Sequence, residues 1–102
     1  RVGPADVEST LLEHAAVAES GVVAKPDEKL GSIIKAYVVI KAGQEPVDDP
    51  ALKEELQELV RRRLSTHAYP REIEFVDELP KTPSGKIQRF VLRNRAQDEV
   101  PA

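Results

Sequence analysis

Apolar residues along the chain follow two spacings, one typical of helices and one typical of strands. In residues 3–16 they recur at four-residue intervals, which predicts a short amphipathic helix with Asp6 as a cap or first-turn acid. Residues 50–64 show a helical period too, with acidic residues near the start and arginines near the end, an order that suits the helix dipole. A third, basic helix is predicted over 87–96.

Alternating apolar residues predict strands over 20–24, 33–41 and 72–76. The middle stretch is apolar on both faces, which is typical of a central strand covered on both sides. One face holds Ile34, Ala36, Val38 and Ile40, and the other holds Ile33, Tyr37 and Val39. The pattern therefore predicts an α+β domain, a small three-stranded sheet flanked by about three helices, in the order helix, strand, strand, helix, strand, loop, helix.

The composition limits what kind of protein this is. At 102 residues the chain is long enough for one compact domain, and the absence of Met favours a piece of a longer protein over a whole gene product. With no Cys, and with His14 and His67 far apart, we expect neither disulfides nor a metal site. No apolar run approaches the ~20 residues that cross a bilayer, so we expect no membrane span. We place the protein in the cytoplasm.

Charge is unevenly distributed along the chain. The net charge is −3, yet the charged residues of the segment 81–95 are all basic. They are Lys81, Lys86, Arg89, Arg93 and Arg95. A nucleic-acid-binding domain would be basic overall and rich in stacking aromatics, whereas aromatics make up 4% here, so we expect no nucleic-acid partner. The basic segment either contacts a small anionic ligand or is a solvated helix face.

The segment 79–87, Leu-Pro-Lys-Thr-Pro-Ser-Gly-Lys-Ile, carries the candidate chemistry. Its prolines and glycine keep it out of regular structure, and its hydroxyl side chains can hydrogen-bond back to the loop. We expect the next helix to begin at Lys86 or Ile87, where free backbone N–H groups favour an anion. A phosphate-binding P-loop is excluded, because Pro80 stands where that motif needs Gly and Ile87 where it needs Ser or Thr.

Residues 80–89, Pro-Lys-Thr-Pro-Ser-Gly-Lys-Ile-Gln-Arg, resemble the C-terminal signature of the AMP-forming acyl-CoA synthetases, whose superfamily also includes luciferases and peptide-synthetase adenylation domains. Segments 1–9, 31–39 and 69–76 agree with the same pattern in order and spacing. The resemblance covers nearly the whole chain and is closest to the acetyl- and medium-chain enzymes. It implies that residues 1–102 are an excised C-terminal lid domain, without the large N-terminal domain that is its partner.

The resemblance implies an acid–thiol ligase. In such enzymes a carboxylate attacks the α-phosphorus of Mg·ATP to give an acyl-adenylate and pyrophosphate, and the CoA thiol then displaces AMP. The large domain holds ATP, Mg²⁺ and the carboxylic acid, while the lid swings between one pose for each half-reaction. The implied setting is fatty acid metabolism, and we expect the isolated chain to be inactive.

By the same resemblance, Lys86 is the catalytic lysine that the lid delivers to ATP, and Arg1 lies near the nucleotide and the hinge. Because acylation would remove its charge, Lys86 is also the expected target of a lysine acetyltransferase. Lys81 is expected to be solvated. The loop would be supported by Thr82, Ser84 and Gly85.

Contacts with CoA are expected from Tyr69, Pro70 and Arg71, with Arg71 able to meet a CoA phosphate. The chain departs from the family pattern at Leu30, where related enzymes often carry Arg before the glycine matched by Gly31. Two alternatives stay open. One is an adenylation domain that loads the phosphopantetheine of a carrier protein, and the other is a non-catalytic α+β module that binds a partner or regulatory ligand.

Overall fold

A computed structural model of the chain describes residues 3–41 and 49–99. Within them, the elements are α1 (Pro4–Leu11), β1 (Val17–Asp27), β2 (Gly31–Ile40), α2 (Pro50–Arg63), β3 (Glu72–Phe75) and α3 (Arg89–Asp98). This order confirms the predicted α+β domain. No helix in the described part of the chain combines the length and the apolar character needed to cross a bilayer.

The strands form one mixed sheet in the order β1-β2-β3. β1 and β2 pair antiparallel as a hairpin, and α2 then connects β2 to β3, which pairs with it in parallel. In the register, Ala36 of β2 lies between Val22 and Ile73. The prediction that 33–41 supplies the central strand is therefore confirmed.

Apolar clusters cover both faces of the sheet, as the alternation in β2 predicts. The first cluster joins α1, α2 and the sheet, and the second joins α3 to the opposite face. Each fully buried Leu or Val side chain contributes about 1.5–3 kcal/mol through burial. The first cluster contains Val7, Leu11, Val17, Val22, Ala36, Val38, Leu56, Val60 and Ile73. The second contains Val23, Tyr37, Leu79, Leu92 and Ala96.

The extents of α1 and β1 differ from the prediction. α1 already ends at Leu11, and the side chain of the following Leu12 is 49% exposed. β1 begins at Val17 and runs through Pro26, which pairs with Ser32. Proline lacks a backbone N–H, and β1 tolerates it because this strand lies at the edge of the sheet.

A register shift near the start of β1 changes the direction of its side chains. Val17 pairs with Ile40, but Glu19 pairs with Val39, so the strand is bulged between them. In a regular strand, residues 17, 19, 21 and 23 would share one face. Here Val17 packs in the first cluster and Val23 in the second. The bulge therefore turns Glu19 toward the α3 side of the sheet.

Candidate functional site

The segment 80–88, which we name the lysine hairpin, is more regular than the sequence predicted. Lys81 and Ile87 form an antiparallel bridge. The Thr82 N–H donates to the carbonyl of Lys86 at 2.8 Å, and the Gln88 N–H donates to the carbonyl of Pro80 at 2.9 Å. The expected irregular loop is thus a small hairpin, because its backbone groups pair with one another across the turn.

The tip of the lysine hairpin is a tight turn with Pro83 at its second position. The Gly85 N–H donates to the Thr82 carbonyl at 2.9 Å, and Gly85 has a φ of 89°, a conformation that favours glycine. The Thr82 hydroxyl accepts the N–H of Lys86 at 3.1 Å and lies 2.9 Å from the Ser84 hydroxyl. These side-chain bonds close the turn that presents Lys86.

Lys86 extends into solvent from the second arm of the hairpin. Within residues 3–41 and 49–99, no hydrogen bond or ion pair involves its ammonium group. The predicted helix start at residue 86 or 87 is wrong, since α3 begins at Arg89 after Gln88 as N-cap. The backbone of Lys86 is engaged in the hairpin instead, so its environment is not a helix N-terminus.

Ion pairs join both arms of the lysine hairpin to α1 and β1. Lys81, expected to be solvated, contacts Glu19 of β1 at 2.7 Å. Arg89, directly after the hairpin, pairs with Glu8 of α1, and the second carboxylate oxygen of Glu8 accepts the Val22 N–H at 2.9 Å. Neither glutamate was predicted from the sequence; for Glu8 the available signal was a charged residue next to the apolar Val7.

The stretch 69–71 is held between α2 and β2. Pro70 is buried, and its carbonyl accepts a hydrogen bond from the Gln57 side chain at 3.0 Å. The Arg71 N–H donates to the carbonyl of Ile34 at 3.0 Å. These contacts fix the backbone at Pro70 and Arg71, two of the three residues expected to contact CoA.

The side chains of Tyr69 and Arg71 form a compact cationic and aromatic cluster. Arg71 donates to the Tyr69 hydroxyl at 2.8 Å, and the guanidinium of Arg61 lies 4.0 Å from the centroid of the Tyr69 ring. Arg71 and Tyr69 also line an open groove of about 370 Å³ that extends to His67 and Leu30. The cluster can present positive charge beside an aromatic face, which suits a nucleotide phosphate.

The structure does not bring all predicted site residues together. Tyr69 packs against the first apolar cluster, whereas Ile87 of the lysine hairpin packs against the second, on the other face of the sheet. The chain therefore offers two separate candidate surfaces. Arg1, the other residue expected near the nucleotide, lies outside the described residues.

A network of ion pairs around two buried lysines of the sheet was not predicted. Its members are Lys25, Lys35, Glu72, Glu74 and Glu99. The side chain of Lys35 is 5% exposed, and its ammonium lies 3.0 Å from Glu74. Burial disfavours its charge, but hydrogen bonds with Glu99 and Glu74 outweigh this effect and raise the pKa of Lys35.

Glu99, which follows α3, is the shared partner in this network. Burial alone would raise the pKa of its carboxyl group, but hydrogen bonds from Lys35 and Lys25 dominate, and the pKa of Glu99 is lowered. The network ties the end of α3 to all strands of the sheet. Beneath it, the buried Tyr37 hydroxyl lacks a hydrogen-bond partner among the described residues, and burial raises the pKa of Tyr37.

Comparison with known proteins shows where this fold and hairpin occur. Residues 6–86, which end at the hairpin lysine, match the model of the AMP-binding enzyme C-terminal domain. The chain belongs to this family. Family membership thus confirms the resemblance seen in the sequence.

The regions of the relatives that match this chain are parts of larger proteins. The acetyl-coenzyme A synthetase of Bacillus subtilis is 57% identical over 93 residues, which are 91% of this chain and 16% of that protein. The crystal structure of a Brucella canis acyl-CoA synthetase matches with a TM-score of 0.87 and 56% identity, over 94% of this chain and 17% of that one.

A structural neighbour with a different name has the same domain. The amide bond synthetase McbA from Marinactinospora thermotolerans matches with a TM-score of 0.82 and 36% identity, over 95% of this chain and 19% of that one. The chain spans about one sixth of the length of the Bacillus enzyme. Both types of enzyme therefore carry this fold on a small fraction of their length.

Proposed function

We propose that residues 1–102 are the mobile C-terminal lid of an acyl-CoA ligase, whose N-terminal domain binds ATP and a carboxylic acid. The enzyme converts the acid to an acyl-adenylate and transfers the acyl group to CoA. Membership in the AMP-binding enzyme C-terminal domain family supports this proposal, as do the names of the Bacillus and Brucella relatives. The observation that carries it is Lys86, a lysine without an ion-pair partner among the described residues, held at the exposed end of a hydrogen-bonded hairpin.

In this proposal Lys86 supplies charge for adenylation. A carboxylate and a triphosphate repel each other, and an ammonium placed between the attacking oxygen and the α-phosphate offsets that repulsion in the transition state. Lysine suits this task because it is a compact charge on a long stem and needs no planar partner. The hairpin contributes by presenting the backbone of Lys86 in one defined position. Arg1 is proposed to contact the nucleotide from the hinge side.

The second half-reaction is assigned to the other surface. Tyr69 and Arg71 are proposed to contact CoA, with Arg71 near a phosphate, and Pro70, whose side chain is buried, is proposed to hold the backbone between them. Their location on the face of the sheet opposite to the lysine hairpin supports a lid that turns one surface inward for adenylation and the other for thioester formation. Arg61 adds positive charge near the Tyr69 ring.

A structural neighbour indicates an alternative to CoA as the acceptor of the acyl group. McbA is named an amide bond synthetase, so an amine is an alternative acceptor for a chain with this lid. A carrier-protein phosphopantetheine is another. We favour CoA because the Bacillus and Brucella relatives, the more similar of those compared, are named as CoA-dependent enzymes. A non-catalytic module is disfavoured by membership in a family of enzyme domains.

Further features of the whole enzyme are proposed by the same reasoning. Mg²⁺ would accompany ATP, but no group of three His, Cys, Asp or Glu residues in 3–41 and 49–99 could hold a cation, so we assign its ligands to the N-terminal domain. The proposed setting is fatty acid metabolism in the cytoplasm. A lysine acetyltransferase would regulate the enzyme at Lys86, whose side chain is exposed.

The test of this function separates the half-reactions in the full-length protein. Lys86→Ala should lower acyl-adenylate formation by on the order of a hundredfold or more, because a preorganised charge is lost. Thioester formation from presynthesised acyl-adenylate and CoA should stay near the wild-type rate, because the hairpin lies away from the nucleotide in that pose. Pyrophosphate release with a panel of carboxylic acids measures the first step, and release of AMP measures the second.

Two further variants make the test specific. Lys41→Ala removes another exposed lysine, at the end of β2, and should change neither half-reaction. Arg71→Ala should spare adenylation and raise the KM for CoA. Equal damage to both half-reactions in Lys86→Ala would show that this lysine supports the fold or the domain interface, and the catalytic assignment would be wrong.

A further inference from the structure

We propose that Glu19 and Glu8 are positioning residues for adenylation, which hold the lysine hairpin in the orientation from which Lys86 meets the nucleotide. The inference rests on the proposed function and adds to it two carboxylates that lie outside the hairpin. Lys81 in the first arm of the hairpin and Arg89, directly after the second arm, are each paired with a glutamate from another element.

The first anchor is the pair between Lys81 and Glu19. Leu79, just before the hairpin, is 4% exposed and packs in the second apolar cluster, so the first arm starts from a fixed point. The Lys81 ammonium then contacts both carboxylate oxygens of Glu19, at 2.7 and 2.9 Å. Without the bulge in β1, Glu19 would face the same side as Val17, away from the hairpin. The bulge thus places a carboxylate where the first arm needs one.

The second anchor is the pair between Arg89 and Glu8. Arg89 is the first residue of α3. A positive charge is unfavourable at a helix N-terminus because of the helix dipole, so a nearby carboxylate is needed to stabilise the guanidinium there. The Glu8 side chain is 11% exposed, contacts the Arg89 guanidinium and accepts the Val22 N–H. The Glu8 carboxylate, on α1, is therefore held by β1 and by Arg89. Through this pair the residue that follows the hairpin is tied to α1 and β1.

The same pairs leave Lys86 as the available charge. The segment 80–89 contains the cations Lys81, Lys86 and Arg89. The first and last are neutralised by their glutamates, whereas the Lys86 ammonium has no ion-pair partner among the described residues. Loss of Glu19 would both loosen the first arm and release Lys81 to compete for the same phosphate. Glu19 and Glu8 thus affect the reaction in two ways: they position Lys86, and they keep Lys81 and Arg89 from taking its place at the phosphate.

Stability and positioning can be separated at Glu19. The side chains of Lys81 and Glu19 are 36% and 37% exposed, and ion pairs with this exposure contribute little to stability. In the full-length protein, Glu19→Gln should therefore lower the melting temperature by at most about 4 °C. It should lower kcat for adenylate formation about tenfold, since a small displacement of a reacting group is costly. Thioester formation from presynthesised acyl-adenylate should stay near the wild-type rate.

Rescue and a matched control complete the experiment. The double variant Glu19→Lys/Lys81→Glu restores the pair with reversed charges and should recover most of the adenylation rate. Glu13→Gln removes another exposed glutamate, which is paired with Arg63 at 3.0 Å, and should leave both half-reactions unchanged. Glu8→Gln should show the same selective loss of adenylation, with a larger loss of stability because its carboxylate is buried.

The outcomes distinguish this inference from the function on which it rests. Normal adenylation in Glu19→Gln, with Lys86→Ala impaired, would overturn the positioning role and leave the ligase function standing. Normal adenylation in Lys86→Ala would overturn the catalytic role assigned to Lys86, and the absence of pyrophosphate release by the wild-type protein across the panel of acids would overturn the ligase function itself. Equal loss of both half-reactions in Glu19→Gln would assign the glutamate a structural role only. No recovery in the charge-reversed pair would show that the ion pair with Lys81 does not position the hairpin, and either result would overturn the inference.

Discussion

Replacing Gly85 by alanine perturbs the lysine hairpin through the backbone alone. Gly85 has a φ of 89°, and a Cβ built at this position meets no atom within 4 Å. The added methyl group therefore causes no clash with neighbouring side chains, and the cost comes from the left-handed backbone conformation. That cost is about 1–2 kcal/mol for a residue with a side chain.

The strain can be relieved by opening the turn. Opening breaks the hydrogen bond from the Gly85 N–H to the Thr82 carbonyl and the bond from the Lys86 N–H to the Thr82 hydroxyl. A cost of 1–2 kcal/mol corresponds to a factor of about 5–30 in the ratio of closed to open hairpin. If the closed hairpin presents Lys86, Gly85→Ala should slow adenylate formation several-fold, up to about that factor.

The chain contains a matched control for this substitution. Gly31, at the start of β2, has a φ of 81° and likewise no atom within 4 Å of a built Cβ. Gly31→Ala should carry the same strain, remote from the lysine hairpin, and should leave adenylation near the wild-type rate. Urea unfolding of both variants measures the strain, and pyrophosphate release by the full-length proteins measures adenylation. Equal adenylation rates in the two variants would refute the link between turn closure and Lys86.

The remaining predictions concern stability and the isolated chain. Because folding lowers the pKa of Glu99, its contribution to stability is present above the ordinary carboxyl value of about 4.3 and is lost as the pH falls through the lower folded value. Glu99→Gln should therefore be less stable at neutral pH and lose less stability in acid than the wild type, as measured by urea unfolding; parallel losses would contradict this. Because folding raises the pKa of Lys35, its contribution is present below the ordinary value of about 10.4 and is lost as the pH rises through the raised value. The isolated chain should unfold cooperatively, since both apolar clusters are internal to it, yet form no acyl-adenylate; adenylate above a buffer blank would disprove the two-domain proposal.

The sequence was most informative where a short pattern reports burial directly. The alternation in 33–41 identified β2 as central and assigned its side chains to the correct faces, because covered strands must be apolar on both sides. It was less informative at boundaries. The polar segment 80–88 gave no sign that its arms pair with each other, so the start of α3 was predicted too early.

By itself, the sequence determined the fold class, the central strand and the resemblance that singles out Lys86. These depend on local spacing and on short motifs, which a single segment contains. Only the tertiary structure decided which partners Lys81 and Arg89 have, because Glu19 and Glu8 lie more than 60 residues away along the chain. It also decided that a bulge turns Glu19 toward the hairpin. Such pairings depend on how separate elements pack against one another. The spacing of residues within one segment does not determine this packing, so the pairs could not be predicted from it.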